Sequence, residues 1–349
     1  MKKKINILAL TSNPFTTNLL FSEKYPSLLY GKKIFLREDK NIAHVNLKKR
    51  LKKNNFNIFT LNEYNKKKPK IDIEIHFYSN IKKMSQSSKL YLVLPEHYLI
   101  DKDCNYDLII RKYNKIFTNI KKFIDNKFFF KINWPLKLYI EKPFSKYIRK
   151  SFCIIASNKT LNSNSVKSGY AERNRIIKWF KKNKPGELSL YGNGWDRPFY
   201  DSYYFNRVIN YFFLKLNLSY KFLNNEYKGI CNDKIKTLKK YNFTFCIENV
   251  VNEKGYNTCQ VIDAMKALSI PVYFGRQDLK LAIPENCFID YKKFSSIEKL
   301  YNYLSNMSQV ERNKIQKNIF NFCNYSTYKE FNEINYSKIL LKHLKNDTK

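Results

Sequence analysis

Glycine and proline are scarce, at 8 and 10 among 349 residues. That excludes collagen-like and low-complexity chains, which depend on one or both. Acidic residues are few as well, 29 against 65 Lys and Arg, which leaves a net charge of +36. No stretch of about 18 consecutive apolar residues occurs, so no transmembrane helix is expected. The start, MKKKINILALTSNPF, has a basic lead but only a short apolar run at 5–10, which suits a strand better than a secretory signal. The seven cysteines (Cys104, Cys153, Cys231, Cys246, Cys259, Cys287, Cys323) form no Cys-x-x-Cys pair. They read as reduced thiols of a cytosolic chain. His44, His76, His97 and His343 include no His-Glu-x-x-His, so spacing provides no metal site.

What is abundant is apolar and aromatic mass. Hydrophobic residues make up 44% of the chain, with 27 Tyr and 27 Phe, too much for a disordered polycation. At roughly 100–200 residues per domain, the length fits two domains, each able to bury a core. The positive field draws anionic partners: nucleic acid, anionic lipid or nucleotide phosphates. Runs such as Lys48-Lys49-Arg50 and Lys66-Lys67-Lys68 are not interleaved with aromatics. Lys and Asn abound throughout, so the charge reads as compositional bias on solvated faces, and specific nucleic-acid binding is not expected.

Along the chain, 5–10 reads as a strand and 44–53 as a helix with apolar Val45, Leu47 and Leu51. Strands follow at 57–61, 71–77 and 90–94. After a polar bridge at 142–149 the order restarts. Strands are expected at 151–156, 188–191, 243–247 and 270–274, and helices at 172–182 and 260–268. Alternating strands and helices argue for parallel sheets, one in each of two α/β domains, 1–150 and 151–325, with 326–349 a basic helical tail that packs back or lies on a membrane. The segment 205–223 has two readings. One is an interfacial helix on an anionic membrane; the other is a buried packing helix.

The chemistry concentrates in 241–300. A buried strand carrying Phe243, Phe245 and Ile247 delivers Glu248-Asn249 at its carboxyl end. A polar loop leads to Gly255-Tyr256-Asn257-Thr258, where Thr258 or Asn257 is the expected N-cap of a helix. Strand end, loop and helix N-terminus together suit a nucleotide diphosphate. No Gly-x-Gly-x-x-Gly and no Gly-Lys-Ser/Thr occurs there, so neither hydride transfer nor ATP hydrolysis is indicated.

This run resembles the donor-binding signature of glycosyltransferase family 10, the α1,3/4-fucosyltransferases. The matching residues, in order, are Tyr241, Phe243, Glu248, Asn249, Gly255, Tyr256, Thr258, Pro271, Val272, Tyr273, Gly275, Pro284, Phe288, Ile289 and Phe294. Upstream, Ser151–Asn158 is similar to the family's strand ending in Ser157-Asn158, Ala171-Glu172-Arg173 to its Arg-bearing helix head, and Leu190–Gly194 to its Tyr-Gly-x-Gly segment. The likeness is strong over 151–305 and thin in the N-terminal half.

The resemblance implies a GT-B fold, two Rossmann-like domains facing across a cleft, with the acceptor held by the N-terminal one. It implies inverting transfer, without metal or other cofactor, of a sugar from a nucleotide sugar, GDP-fucose by analogy, to a hydroxyl of a glycan or glycolipid, as in protein glycosylation or lipopolysaccharide biosynthesis. Glu96, after the apolar run 92–94, is then the candidate general base, with His97 the alternative. Arg173 is the candidate diphosphate contact. Ser157, Asn158, Glu248, Asn249, Tyr256, Thr258 and Gln260 complete the candidate donor site. A cytoplasmic chain, peripheral on the inner membrane face, is the matching location.

One departure stands out. Where the family carries Glu-Lys after Thr258, this chain has Cys259-Gln260, which removes two charge-assisted contacts of about 1.5–3 kcal/mol each. Either Glu253 and Lys254 substitute, or the donor is another nucleotide sugar, or the protein is a degenerate, non-catalytic glycan binder. Asp101-Lys102-Asp103 fits the Asp-x-Asp of metal-dependent glycosyltransferases of another fold, but the C-terminal signature points away from a metal.

Overall fold

The structure, a computed structural model, describes residues 4–11, 20–21, 28–29, 32–33, 38–77, 81–87, 89–94, 96–100, 106–133, 135–136, 138–141, 150–159, 168–196, 204–216, 226–325 and 331–348. The chain forms two units. The first comprises Met1–Lys137, Lys254–Tyr256 and Tyr328–Lys349; the second comprises Leu138–Glu253 and Asn257–Thr327. The chain thus changes unit near 137 and again near 327, and the C-terminal segment set apart above as a tail is counted with the first unit.

In the first unit the elements run β1 (Ile5–Leu10), a two-residue antiparallel pair β2 (Leu28–Leu29) and β3 (Lys32–Lys33), α1 (Glu38–Lys52), β4 (Phe56–Phe59), α2 (Leu61–Lys67), β5 (Ile73–His76), β6 (Lys89–Leu94), α3 (Tyr106–Lys112), β7 (Lys115–Thr118) and β8 (Phe129–Lys131). Six strands form one parallel sheet in the order β4-β1-β5-β6-β7-β8. A sheet covered on both faces needs strands that are apolar throughout. β1 meets this with Ile7, Leu8 and Ala9 fully buried. α2 starts at a capping box, in which Thr60 and Glu63 satisfy each other's backbone N–H.

The second unit runs β9 (Lys150–Ile155), α4 (Gly169–Asn183), β10 (Leu188–Tyr191), α5 (Tyr204–Lys215), α6 (Lys234–Leu238), β11 (Tyr241–Ile247), α7 (Gln260–Lys266), β12 (Ile270–Phe274), β13 (Ile289–Asp290), α8 (Ile297–Asn306) and α9 (Gln309–Tyr325). Its five strands are parallel in the order β10-β9-β11-β12-β13. Phe152, Phe180, Phe243 and Phe245 pack between sheet and helices. Each such burial contributes about 1.5–3 kcal/mol. Burial pushes the Cys287 and Cys323 thiols up to about 12, which keeps them protonated and unreactive.

The final helix, α10 (Glu333–Asn346), is capped by Asn332, whose side chain accepts the Ile334 N–H at 2.7 Å. Its stripe of Tyr336, Leu340, Leu341 and Leu344 is buried in the same core as Leu47 and Leu51 of α1 and Ile7 of β1.

Candidate active site

Parallel strands leave their carboxyl ends at one edge of the sheet, and there the loops of the second unit meet. β9 ends at Ile155 and is followed by Ala156, Ser157 and Asn158. Asn158 is held by the turn after β10: its N–H donates to Asn193 O at 2.8 Å and its Nδ2 to Gly194 O at 2.9 Å. That turn requires glycine at 192. Its φ is +137°, and a Cβ there would stand 1.9 Å from Ala156 O.

Arg173 lies deeper than a helix-head residue would. α4 begins at Gly169, three residues before the expected start at 172, because the helix seats directly on the strand end: Gly169 N–H donates to Asn249 O at 3.1 Å, and a Cβ at 169 would lie 1.8 Å from Glu248 O. Arg173 is therefore in the second turn and only 3% exposed. Its guanidinium donates to Ile247 O at 3.1 Å, Ser157 O at 3.4 Å and Asn249 Oδ1 at 3.5 Å, and lies over the Tyr170 ring. One cation ties the ends of β9 and β11 together.

Glu248 is fully buried, and its Oε2 accepts the Thr258 N–H at 3.0 Å. Asn257 and Thr258 are not the N-cap of the next helix, as the sequence suggested. The N-cap is Cys259, without a side-chain capping bond, and Thr258 Oγ1 beside it accepts the Gln260 N–H at 3.4 Å. Gln260 reaches back to the strand end, where its Nε2 donates to Ile247 O at 2.9 Å. The Ile247 carbonyl thus accepts from both Arg173 and Gln260.

The next strand end adds residues that sequence reasoning missed. Arg276, 5% exposed, donates to Asp278 Oδ1 at 2.6 Å and Asn257 Oδ1 at 3.2 Å, and its N–H donates to the Tyr273 hydroxyl at 3.1 Å. Burial, reinforced by the nearby Glu248 charge, holds the Tyr273 phenol well above its usual pKa. Lys292 donates to Gly275 O and Asn252 Oδ1, and burial lowers its ammonium. A polar cavity of about 310 Å³ opens here, lined by Asn252, Gly275, Arg276 and Lys292 among others. A cation directly after a strand-ending glycine was the available signal for Arg276.

Glu96 and Tyr256 belong to the first unit. The Tyr256 hydroxyl donates to Glu96 Oε1 at 2.6 Å, and the His97 N–H donates to the same oxygen at 3.0 Å. Tyr256 is fully buried and meets the His97 ring edge-on, while the Tyr98 ring stacks on that of His97 with centroids 4.2 Å apart. Gly255 permits this seating: its φ is +84°, and a Cβ would lie 2.1 Å from Asn119 O. Lys254 O accepts the Lys121 N–H at 3.0 Å.

The structure therefore gathers Ser157, Asn158, Arg173, Glu248, Asn249, Thr258 and Gln260 at one sheet edge, and pairs Tyr256 with Glu96. Asp101-Lys102-Asp103 lies outside the described residues. Among the described residues no group of His, Cys, Asp and Glu is arranged to hold a metal ion.

Residues 223–339 match the family model "Glycosyltransferase family 10 (fucosyltransferase) C-term". A comparison with curated protein sequences gives no match. Among solved structures, an α1,3-fucosyltransferase with GDP-fucose aligns with TM-score 0.54 and 11% identity over 99% of this chain and 92% of that one. The same kind of enzyme with GDP gives 0.54 and 12% over 99% and 91%. HepE from Anabaena in complex with UDP gives 0.52 and 12% over 98% and 100%. The chain thus has an α/β fold of the GT-B type, and its residues 223–339 match the C-terminal model of glycosyltransferase family 10.

Proposed function

We propose that the chain is a fucosyltransferase-like glycosyltransferase that takes a sugar from a nucleotide diphosphate, GDP-fucose being the favoured donor, to a hydroxyl of a glycan or glycolipid. The observation that carries this reading is the convergence of Arg173 and Gln260 on the Ile247 carbonyl, beside Asn249 and the α4 and α7 N-termini. It builds a polar strand-end edge of the kind that receives a diphosphate. The family match and the GDP-bound relatives support the same reading.

In the reaction, Glu96 accepts the proton of the acceptor hydroxyl as its oxygen attacks the anomeric carbon. The bond from that carbon to the diphosphate oxygen breaks, and the nucleoside diphosphate leaves with the electron pair. Inversion follows from a single displacement, and positive charge near the diphosphate stabilises the leaving group without metal. In this scheme Ser157, Asn158, Glu248 and Thr258 shape the donor edge, and Arg173 fixes Asn249 against it.

A second reading, donor or glycan binding without turnover, is favoured by Cys259 and Gln260, which stand where the family carries two charges. The test is a thermal-shift panel of GDP, UDP, CMP and their sugars, with and without EDTA, followed by a transfer assay on a positive donor. A GDP-selective rise that survives EDTA supports the proposal, because a ligand of the native state raises the midpoint by mass action. No shift from any nucleotide at millimolar concentration removes the catalytic reading. A shift without transfer across an acceptor panel selects the second one.

A further inference from the structure

Among its described side chains, α5 turns large apolar residues outward and a polar one inward. Asn210 is 2% exposed, whereas Phe205, Phe212 and Leu216 are exposed by 72%, 55% and 66%. At 3.6 residues per turn, positions 205, 212 and 216 fall on one stripe, with Ile209 beside them and Val208, Tyr211 and Lys215 along one border. Val208 and Tyr211 are themselves exposed by 37% and 61%. A run of large apolar side chains on one helix face, with a polar residue turned inward, marks an interaction surface.

The chemistry around the stripe selects its occupant. No acidic residue lies within 204–216, Lys215 is exposed at the border, and the whole chain carries +36. Aromatic and aliphatic side chains flanked by Lys and Tyr suit the boundary between acyl chains and headgroups, where Lys extends its ammonium toward phosphate. Two copies of so basic a chain repel one another, which disfavours self-pairing through this face. The other amphipathic helix considered for a membrane, α10, has its apolar stripe buried in a core and offers none to lipid. We propose that α5 is an interfacial helix that seats the second unit on an anionic lipid bilayer. This goes beyond the reaction proposed above and stands or falls separately from it.

The test is co-sedimentation of the full chain with vesicles of phosphatidylcholine alone or mixed with phosphatidylserine, at low and physiological salt. Wild type is expected to pellet with the anionic vesicles and to resist added salt in part. A triple variant, Phe205→Ser, Phe212→Ser and Leu216→Ser, is expected to lose at least about tenfold in partitioning while keeping its unfolding midpoint, because it changes exposed side chains. As an independent readout, Phe212→Trp is expected to shift its emission to the blue on anionic vesicles and not on phosphatidylcholine. Equal binding by wild type and the triple variant, with no emission shift, overturns the proposal and leaves only diffuse charge. Self-association of wild type without lipid that the triple variant abolishes also overturns it, and makes a second copy the occupant.

Discussion

The Tyr256 hydroxyl donates to Glu96 Oε1 at 2.6 Å, joining residues 160 positions apart in sequence. A carboxylate held this way keeps one orientation. Tyr256→Phe retains the buried ring and removes only this donor. Expected is a fall in kcat of about ten- to a hundredfold with the donor KM little changed. Glu96→Gln is expected to abolish the transfer. A Tyr256→Phe variant with wild-type kcat would show that the hydroxyl does not orient the proposed base.

Arg173 distinguishes a structural tie from an exposed ligand clamp. Arg173→Lys cannot reach Ser157 O, Ile247 O and Asn249 Oδ1 together. Expected is a loss of about 2–4 kcal/mol of stability, read as a lower urea midpoint without ligand. An exposed clamp would instead weaken nucleotide binding and leave the midpoint in place.

Cys259 and Gln260 set donor affinity in this scheme. Converting them with Cys259→Glu and Gln260→Lys restores the pair that the family pattern carries. Two charge-assisted contacts of about 1.5–3 kcal/mol each predict GDP binding tightened by more than roughly tenfold in calorimetry. Unchanged or weaker binding would mean that this chain reaches its nucleotide by another route.

Acid should weaken the first unit in a defined window. His343 packs against Phe117 and Phe130, and burial, with Lys115 and Lys342 nearby, lowers its pKa to about 4; burial also lowers that of His76. With folded values below the unfolded one of about 6.5, this stability is complete above pH 6.5 and is lost as pH falls toward 4. His343→Phe keeps the aromatic packing and removes one titration. Its denaturation midpoints between pH 6.5 and 4 are expected to fall less than wild type, by about 1–2 kcal/mol after allowance for partial exposure.

Local pattern carried the sequence reading where local forces decide. The strands at 188–191 and 270–274 have the observed bounds, because short apolar runs between polar turns leave no other register. The start of α4 was missed because the glycine at 169 is there for the close approach to Glu248 O, a contact 79 residues distant in sequence. Glu248, Asn249 and Gln260 were legible from a strand end and a helix start. The Tyr256–Glu96 bond was not, because its two partners lie 160 residues apart, and the link from Arg276 to Asn257 was hidden in the same way. For the same reason no local signal could assign Lys254–Tyr256 and α10 to the first unit.

The docking of α10 on α1 has a consequence for biogenesis. Arg50 Nε donates to Ser337 Oγ at 3.0 Å across a separation of 287 residues, and Leu340 and Leu344 close the core that Leu47 and Leu51 begin. Since α10 follows the second unit in the chain, a ribosome can release a complete second unit while the first still lacks its closing helix. The apolar side of α1 then remains a substrate for chaperones until translation passes 344, and a stop codon placed before α10 would cut the last residues from the matched segment 223–339 and leave the first unit open and aggregation-prone.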